Sequence, residues 1–296
     1  MRNRTVTISA LNVVLPEPHR PERYRALWLD AYTKQKPIRL RGDTGGMVRY
    51  ANTPRRGEDR IWGDLLKFTN IDAEGKWLDL ATGEVADPED VERRVVIPPT
   101  YRPNLHSVPY LFFPKKHRLL FMSRLDQRNT LSPGMAKTLV ERFLNRTDLV
   151  EKHGVATVSV EPDRETLPRI FAIPTLKAIT MEVSPPNALG NMERQLMRFL
   201  ADQNATRYAQ ELSTAHPDGL QLSQNTRQIA EVAQSNGYVA ARGLDENGRA
   251  VQFSTANHPY EERIEFDPSI TTAGDLFDEV SGQILREISR PADQRD

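Results

Sequence analysis

The chain of 296 residues contains no cysteine. This absence excludes disulfides, a thiolate nucleophile, and zinc or iron–sulfur sites built on cysteine, and it fits a reducing compartment. No apolar run approaches the roughly 20 residues that a membrane-spanning helix needs. The N-terminal stretch MRNRTVTISALNVVLP alternates in polarity and lacks a small-residue cleavage pattern. We therefore interpret it as a first strand rather than a signal peptide, and expect a cytoplasmic protein.

The sequence also lacks the short motifs that indicate common nucleotide-binding and catalytic sites. The patterns GxxxxGK[ST], GxGxxG, HExxH and GxSxG do not occur. The six histidines are scattered without the spacing of metal ligands; they are His19, His106, His117, His153, His216 and His258. We accordingly predict no catalytic residue, no cofactor and no resident metal from motifs.

Three aspartates are candidate ligands for a catalytic metal ion. A Mg²⁺-dependent nuclease needs two or three carboxylates that converge on the metal, and Asp64, Asp72 and Asp79 follow one another with Lys67 nearby. Their spacing of seven or eight residues does not show that they converge. Solvated positions along strands are the favoured explanation, and the nuclease is kept as a further alternative.

Hydrophobicity and charge describe a globular chain. Hydrophobic residues make up 38% of the sequence and charged residues 27%, which is a composition that folds around a core. The length suits one large domain or two ordinary ones.

Periodicity in the first half predicts mainly strands in antiparallel pairs. Pro21 opens a helix whose Tyr24, Leu27, Trp28 and Ala31 share one face. A second helix begins at Ser132 and Pro133, and 87–104 is interpreted as an irregular connection. Strands are predicted over 5–15, 38–41, 47–50, 60–70, 107–113 and 119–123.

The second half is predicted to be richer in helices. The longest helix is expected over 192–215, and another ends at Gly237 as its cap. Glu246-Asn247-Gly248 predicts the turn of a hairpin. A final helix is expected from 272 to 289. The prediction is an α+β fold: a basic, antiparallel β-rich N-terminal domain over 1–152 and an acidic, helix-rich α+β C-terminal domain over 153–296.

Charge is distributed unevenly although the net charge is zero. Residues 1–150 hold 26 Lys and Arg against 18 Asp and Glu, a net charge of +8, and residues 151–296 carry −8. Such asymmetry indicates either nucleic-acid contact by the basic half or docking of the halves on each other, within or between subunits.

Two basic turns are the candidate contacts with nucleic acid. In FFPKKHRLLF the four residues 115–118 are expected at an exposed hairpin tip, where cations can reach phosphates. RGDTGG, residues 41–46, is either a hairpin turn or a nest of backbone N–H groups that holds an anion. The predicted contact residues are Arg39, Arg41, Arg49, Lys115, Lys116, Arg118, Arg124 and Arg128.

A short segment of the second half resembles a protein-binding peptide. Residues 195–199, QLMRF, share a leading Gln and spaced hydrophobic residues with the peptide by which bacterial proteins engage the replicative sliding clamp. Leu196, Phe199 and Leu200 also have helical spacing, which a core-facing helix explains fully.

Six stretches taken in order carry a family resemblance. They are SALNVVLP, GDLLKFTNID with WLDLATGE, PNLHSVPYLFFPKKHRLLF, LSPGMAKTLVERFLN, LPRIFAIPTLKAITMEVSPPN and NGYVAARGLDENG with FST. Together they resemble an uncharacterised bacterial family of about 290 residues, a domain of unknown function of the accessory-genome kind found near phage-defence and toxin–antitoxin genes. A remoter likeness, in size and layout only, is to the DNA-binding exclusion protein RexA of a temperate phage.

Charge and resemblance together lead to three functional hypotheses. The first is a non-enzymatic protein of phage defence or genome competition that binds nucleic acid, with DNA favoured, through the basic N-terminal surface. It would act as a homodimer or with a partner protein from the same operon, and not at a membrane. The second is a toxin-type effector that binds a host replication protein, and the third is the metal-dependent nuclease.

Overall fold

A computed structural model describes residues 3–52, 59–72, 75–184 and 191–288. Over these residues the chain forms two antiparallel sheets with helices packed against them. The predicted α+β class is confirmed. The helices are Pro21–Thr33 (α1), Pro88–Arg94 (α2), Pro133–Leu144 (α3), Thr147–His153 (α4), Thr166–Phe171 (α5), Asn191–Asp202 (α6), Gln224–Asn236 (α7) and Ala273–Ile288 (α8).

The first sheet holds most of the first half together with two strands from the second. Its strands run in the spatial order β12-β1-β6-β5-β4-β3-β2, and β7 also pairs with β1. The strands are Arg4–Val14 (β1), Ile38–Arg41 (β2), Thr44–Asn52 (β3), Ile61–Thr69 (β4), His106–Phe113 (β5), Arg118–Arg124 (β6), Thr157–Val160 (β7) and Glu261–Phe266 (β12).

The long strand β1 explains how both halves join one sheet. One of its edges pairs with β6, and its other edge pairs with β12 along Arg4–Ser9 and with β7 along 11–14. The boundary predicted at residue 152 therefore does not separate the two sheets, because β7 and β12 complete the first one. Local periodicity has no access to pairing between strands so far apart in sequence.

Both faces of the first sheet are covered where β1 and β6 run. Alternating side chains on one face pack against α1, α3 and α4, with Trp28, Phe112 and Phe143 at the centre of that core. The other face packs against α8, mainly through Ile8, Leu120 and Phe277. Strands buried on two sides carry near-continuous apolar runs, as in LLFM of β6.

The second sheet has its own core. Its strands lie in the order β11-β10-β8-β9 and occupy Thr175–Val183 (β8), Tyr208–Ser213 (β9), Gly237–Leu244 (β10) and Ala250–Ser254 (β11). Helices α5, α6 and α7 contribute Ile170, Leu196 and Ile229 to that core. The hairpin predicted at 246–248 is confirmed between β10 and β11.

Two local predictions are wrong, each for a physical reason. The longest predicted helix ends at Asp202, because Tyr208–Ser213 alternates in burial and pairs with β8. Residues 88–94 form a helix rather than an irregular connection, with Asp87 as its cap and Pro88 in its first turn. The helix end predicted at Gly237 is confirmed, because α7 ends at Asn236 with Gly237 as its C-cap. This glycine has extended rather than left-handed backbone, and a Cβ there would lie 1.9 Å from the Glu182 carbonyl oxygen.

Candidate nucleic-acid interface

The hairpin between β5 and β6 exposes only part of its basic tip. Lys115 and Lys116 are exposed, and the Lys115 Nζ lies 3.3 Å from an Asp59 carboxylate oxygen. His117 turns inward with a φ of 55°, and its ring stacks on Tyr24 at a centroid distance of 4.4 Å. The tip therefore presents two lysines to solvent, and the expectation that all four residues of 115–118 stand clear of the core is wrong.

Arg118 is buried rather than exposed. Its Nε lies 3.0 Å from a Glu161 carboxylate oxygen, and its guanidinium donates a hydrogen bond to the Asn12 side chain. The side chains of Arg118 and Glu161 are 5% and 8% exposed. Arg118 is the first residue of β6, and β1 and the segment after β7 close over it. It stabilises the junction of the two halves and has no route to a phosphate.

Arg124 and Arg128 lie at the opposite end of β6 from the lysines. Seven residues of strand separate these two ends by roughly 20 Å. Arg124 is exposed beside a cleft at the start of α3, and Arg128 is exposed in the loop that precedes that helix. The eight predicted residues therefore do not form one continuous patch.

The remaining three predicted cations share one side of the sheet. Leu40, Val48 and Leu65 point into the core under α1 and α3. Strand alternation therefore places Arg39, Arg41 and Arg49 on the other side. We call this side the open face; it is formed by β2, β3 and β4 and carries Arg39, Arg41, Arg49, Trp62 and Asp64.

Two exposed aromatic side chains accompany these arginines. Trp62 on β4 is 47% exposed, and Tyr50 on β3 is 46% exposed. The Arg49 guanidinium lies 4.9 Å from the centre of the Tyr50 ring and donates to Asp64 at 2.7 Å. Exposed aromatics beside arginine on a sheet face suit stacking with unpaired bases. Trp62 is not among the residues predicted from the sequence, although strand alternation next to the apolar Ile61 indicates its exposed side.

The backbone at Tyr50 is held in an unusual conformation. Its φ is 62°, a left-handed value that a residue with a side chain seldom adopts. The Tyr50 carbonyl accepts a hydrogen bond from the buried Tyr110 hydroxyl at 2.8 Å, and that hydroxyl accepts one from Trp28 Nε1. A Cβ at Gly63 would lie 2.3 Å from the same carbonyl oxygen, so glycine is required there. Such strain is maintained where the surrounding structure fixes it, often at functional sites.

RGDTGG forms the hairpin turn between β2 and β3. Gly42 adopts a φ of 52° in the turn, while Gly45 and Gly46 pair with β4 as part of β3. The Asp43 carbonyl accepts a hydrogen bond from the Asn70 N–H. The hairpin alternative is the one that the structure contains.

The three aspartates considered for a nuclease each contact a different part of the structure. Asp64 bonds Arg49 on the open face, and Asp79 accepts the N–H of Ala81 in a turn. Asp72 accepts the N–H of Gly75 at its backbone carbonyl. Throughout the described ranges, no three side chains of His, Asp or Glu come together as a metal site.

Residues 195–199 lie within α6. Leu196 is buried in the second core, whereas Phe199 is 51% exposed and packs edge-on against Tyr208. The segment is helical, and its first hydrophobic side chain, Leu196, packs inside the protein.

Fold and geometry together define a two-sheet α+β protein with a partly open, arginine-bearing sheet face. The chain belongs to the family described as Domain of unknown function (DUF4747), whose model matches residues 4–282. The predicted membership of an uncharacterised family of about this length is confirmed. No curated protein matches the chain. Among the helices of the described residues, none combines the length and hydropathy needed to cross a bilayer.

Proposed function

We propose that this protein binds single-stranded nucleic acid on the open face. The observation that carries the proposal is the exposed Trp62 ring on the open face, which the described helices leave uncovered, together with Arg49, whose guanidinium lies 4.9 Å from the centre of the exposed Tyr50 ring. A base can stack on an aromatic face in any sequence, and a neighbouring guanidinium can contact the adjoining phosphate.

The charge of the open face supports the same proposal. Arg39 and Arg41 are exposed on the edge strand β2. Arg49 pairs with Asp64, but both side chains are partly exposed, so the pair contributes little stability and can exchange for a phosphate contact. About 13 Å of β3 separates the level of Arg39 from that of Arg49, which gives an extended strand several points of contact.

The wider setting of the proposal rests on the family resemblance. In this proposal the nucleic acid is DNA, and the protein acts in phage defence or genome competition in the cytoplasm. A homodimer, or a complex with a protein from the same operon, completes the proposal. Size-exclusion chromatography with light scattering of the purified protein, alone and with that partner, tests the assembly.

The test of binding is fluorescence anisotropy with a labelled single-stranded DNA. Trp62→Ala is expected to lower the affinity about 5- to 150-fold, which corresponds to about 1–3 kcal/mol for one stacked base. Phe199→Ala is the matched control, because it removes an equally exposed aromatic side chain from α6. Equal affinities for the wild type and Trp62→Ala would contradict the proposal.

A salt titration tests the arginines separately from the aromatics. The logarithm of the association constant is expected to fall linearly with the logarithm of salt concentration. Arg39→Gln with Arg41→Gln should reduce the slope by about 0.7 for each phosphate of a single strand that these two arginines neutralise in the wild type. An unchanged slope would remove β2 from the interface, and an absence of DNA binding by the wild type at low salt would overturn the function.

A further inference from the structure

A cleft lined mainly by polar and charged residues opens at the end of the first sheet where β1 begins and β6 ends. Its volume is about 480 Å³, and its wall includes Thr7, Lys67, Arg124, Ser132, Glu261 and Arg263. Ser132 and Pro133 bring the N-terminus of α3 to the same wall. The cleft thus joins strands and a helix that are far apart in sequence.

Strand pairing sets the positions of the three cations. Arg263 on β12 and Arg124 on β6 are both Cα partners of Thr7 on β1, so two strand spacings of about 10 Å in all separate their backbones. Lys67 lies on β4, across the intervening β5 from β6. Lys67 is three residues from Asp64, so alternation places it on the face opposite the open face.

Within the described residues, these cations lack the carboxylate partner that several other cations of the sheet have. Arg49, Lys115 and Arg118 each contact a carboxylate. By contrast, within the described part of the chain the side chains of Lys67, Arg124 and Arg263 form no ion pair. Among the described residues of the wall, Glu261 is the one carboxylate, so with Lys67, Arg124 and Arg263 these residues carry two net positive charges.

Burial adds to the cost of leaving Lys67 without a partner. Its side chain is half-buried, and desolvation lowers the pKa of Lys67. A half-buried ammonium that lacks a counter-ion gains more from an anion than an exposed one, because water solvates it less.

The start of α3 strengthens the positive potential. This helix is 12 residues long, and the Ser132 hydroxyl caps it by accepting the Met135 N–H. The N-terminus of a helix carries a partial positive charge that favours anions. Threonine hydroxyls at positions 5, 7 and 130 supply further donors along the wall.

We infer that this cleft binds a phosphate monoester through Lys67, Arg124 and Arg263. A dianionic phosphate matches the two net positive charges, and guanidinium groups bind its oxygens in pairs. The monoester could be carried by a free mononucleotide or by the 5′ end of a nucleic-acid strand. The site lies on the other face of the sheet from Trp62, and it stands independently of the proposed function.

Isothermal titration calorimetry of the full chain tests the site with thymidine 5′-monophosphate, and thymidine is the control ligand. We expect saturable binding of the monophosphate alone. Arg124→Gln and Arg263→Gln should each weaken it at least about tenfold, as loss of a charge-assisted hydrogen bond does. Arg128→Gln, an exposed arginine of the adjoining loop, should leave it unchanged.

Glu261→Gln provides a test in the opposite direction. Removing the carboxylate from the wall raises the net charge of the cleft, so the affinity for the monophosphate should increase. Lower affinity in Glu261→Gln, or equal affinities for the wild type and Arg124→Gln, would overturn the inference. So would a failure of thymidine 5′-monophosphate to bind.

Paired oligonucleotides distinguish the two sources of the phosphate. If strand ends are the ligand, a 5′-phosphorylated DNA should bind more tightly than the same DNA with a 5′-hydroxyl, and Arg124→Gln should abolish that difference. If a free nucleotide is the ligand, the two oligonucleotides should bind equally while the monophosphate still binds. Trp62→Ala should leave binding of the monophosphate unchanged in both cases, so failure of the open face and failure of the cleft are separate results.

Discussion

Arg118 lies at the junction of the two halves, with Glu161 on one side and Asn12 on the other. Asn12 also donates to the Ser235 carbonyl at the end of α7, so a small polar cluster connects β1 and β6 to α7, a helix that packs on the second sheet. Burial of these groups is tolerated because each charged atom has a partner of opposite sign or a hydrogen bond.

Replacing Arg118 with Met should destabilise the protein strongly. Removing one member of a buried ion pair typically costs about 3–5 kcal/mol, because the other charge stays buried. Lys116→Met, in the exposed turn two residues earlier, should change the free energy of unfolding by no more than about 0.5 kcal/mol. Urea denaturation of both variants measures the difference, and similar values for the two would contradict the structural role of Arg118.

His19 is a half-buried histidine whose protonation is coupled to folding. Its Nδ1 lies 3.0 Å from the Tyr24 hydroxyl, and its Nε2 is buried with no hydrogen-bond partner in the described residues. Burial lowers the pKa of His19 below 6.5, Arg23 adds to this effect, and Glu17 opposes it. The folded state therefore favours the neutral imidazole.

Stability should consequently decrease as the pH falls below the pKa of free histidine. A pKa that is lower in the folded state means that the unfolded state binds the proton first, so the stabilisation is complete above about pH 6.5 and is lost towards the folded pKa. Burial also lowers the pKa of His106, which adds a change of the same sign. Urea midpoints measured from about pH 7 to about pH 5 should fall less steeply in His19→Gln than in the wild type. Parallel profiles would show that His19 does not contribute.

Helix α8 covers part of one face of the first sheet. Its buried side chains, including Leu276, Phe277 and Ile284, cover the face formed by β1 and β6. Arg60, immediately before β4, contacts Asp278 of the same helix at 2.9 Å. The open face begins where this cover ends, so α8 determines which aromatic side chains remain exposed.

Truncating one side chain of α8 should therefore be costly. Phe277 is 2% exposed, and replacing a buried phenylalanine with alanine usually costs about 3–5 kcal/mol. Ile270, just before the helix, is 84% exposed, and Ile270→Ala should change stability by less than about 0.5 kcal/mol. Chemical denaturation compares the two variants, and a Phe277→Ala protein as stable as Ile270→Ala would show that α8 does not pack as described.

Across the whole molecule, charge asymmetry has two structural outcomes. Arg118 with Glu161 and Arg60 with Asp278 are contacts between the basic and acidic halves. Arg39, Arg41 and Arg124 of the basic half, by contrast, face solvent on the first sheet. Docking of the halves thus uses some of the cations, and the proposed interfaces use others.

The first half should not fold without the second. Residues 1–152 lack β7, β12 and α8, so one edge of β1 and the apolar face with Ile8 and Leu120 would be exposed. An exposed edge strand with a hydrophobic face favours aggregation. We expect a fragment of 1–152 to show no cooperative thermal transition by circular dichroism, whereas the full chain does. A cooperative, monodisperse fragment would contradict this interdependence.

Local patterns determined the class of fold and many of its elements. The spacing of Tyr24, Leu27, Trp28 and Ala31 predicted the buried face of α1, and all four are buried. Ser132 and Pro133 predicted the start of α3, and Glu246-Asn247-Gly248 predicted the hairpin of β10 and β11. These signals succeed because caps, turns and amphipathic faces depend on neighbouring residues.

Only tertiary structure decided which cations face solvent and which strands share a sheet. Nothing within FFPKKHRLLF distinguishes Arg118 from Lys116, since the burial of Arg118 depends on Glu161, which is 43 residues away in the chain. The cleft likewise requires Lys67, Arg124 and Arg263 to meet through pairings that β1 and β12 make across the length of the sequence. Side-chain spacing specifies a strand and its two faces, but the partner that covers each face is chosen by long-range packing.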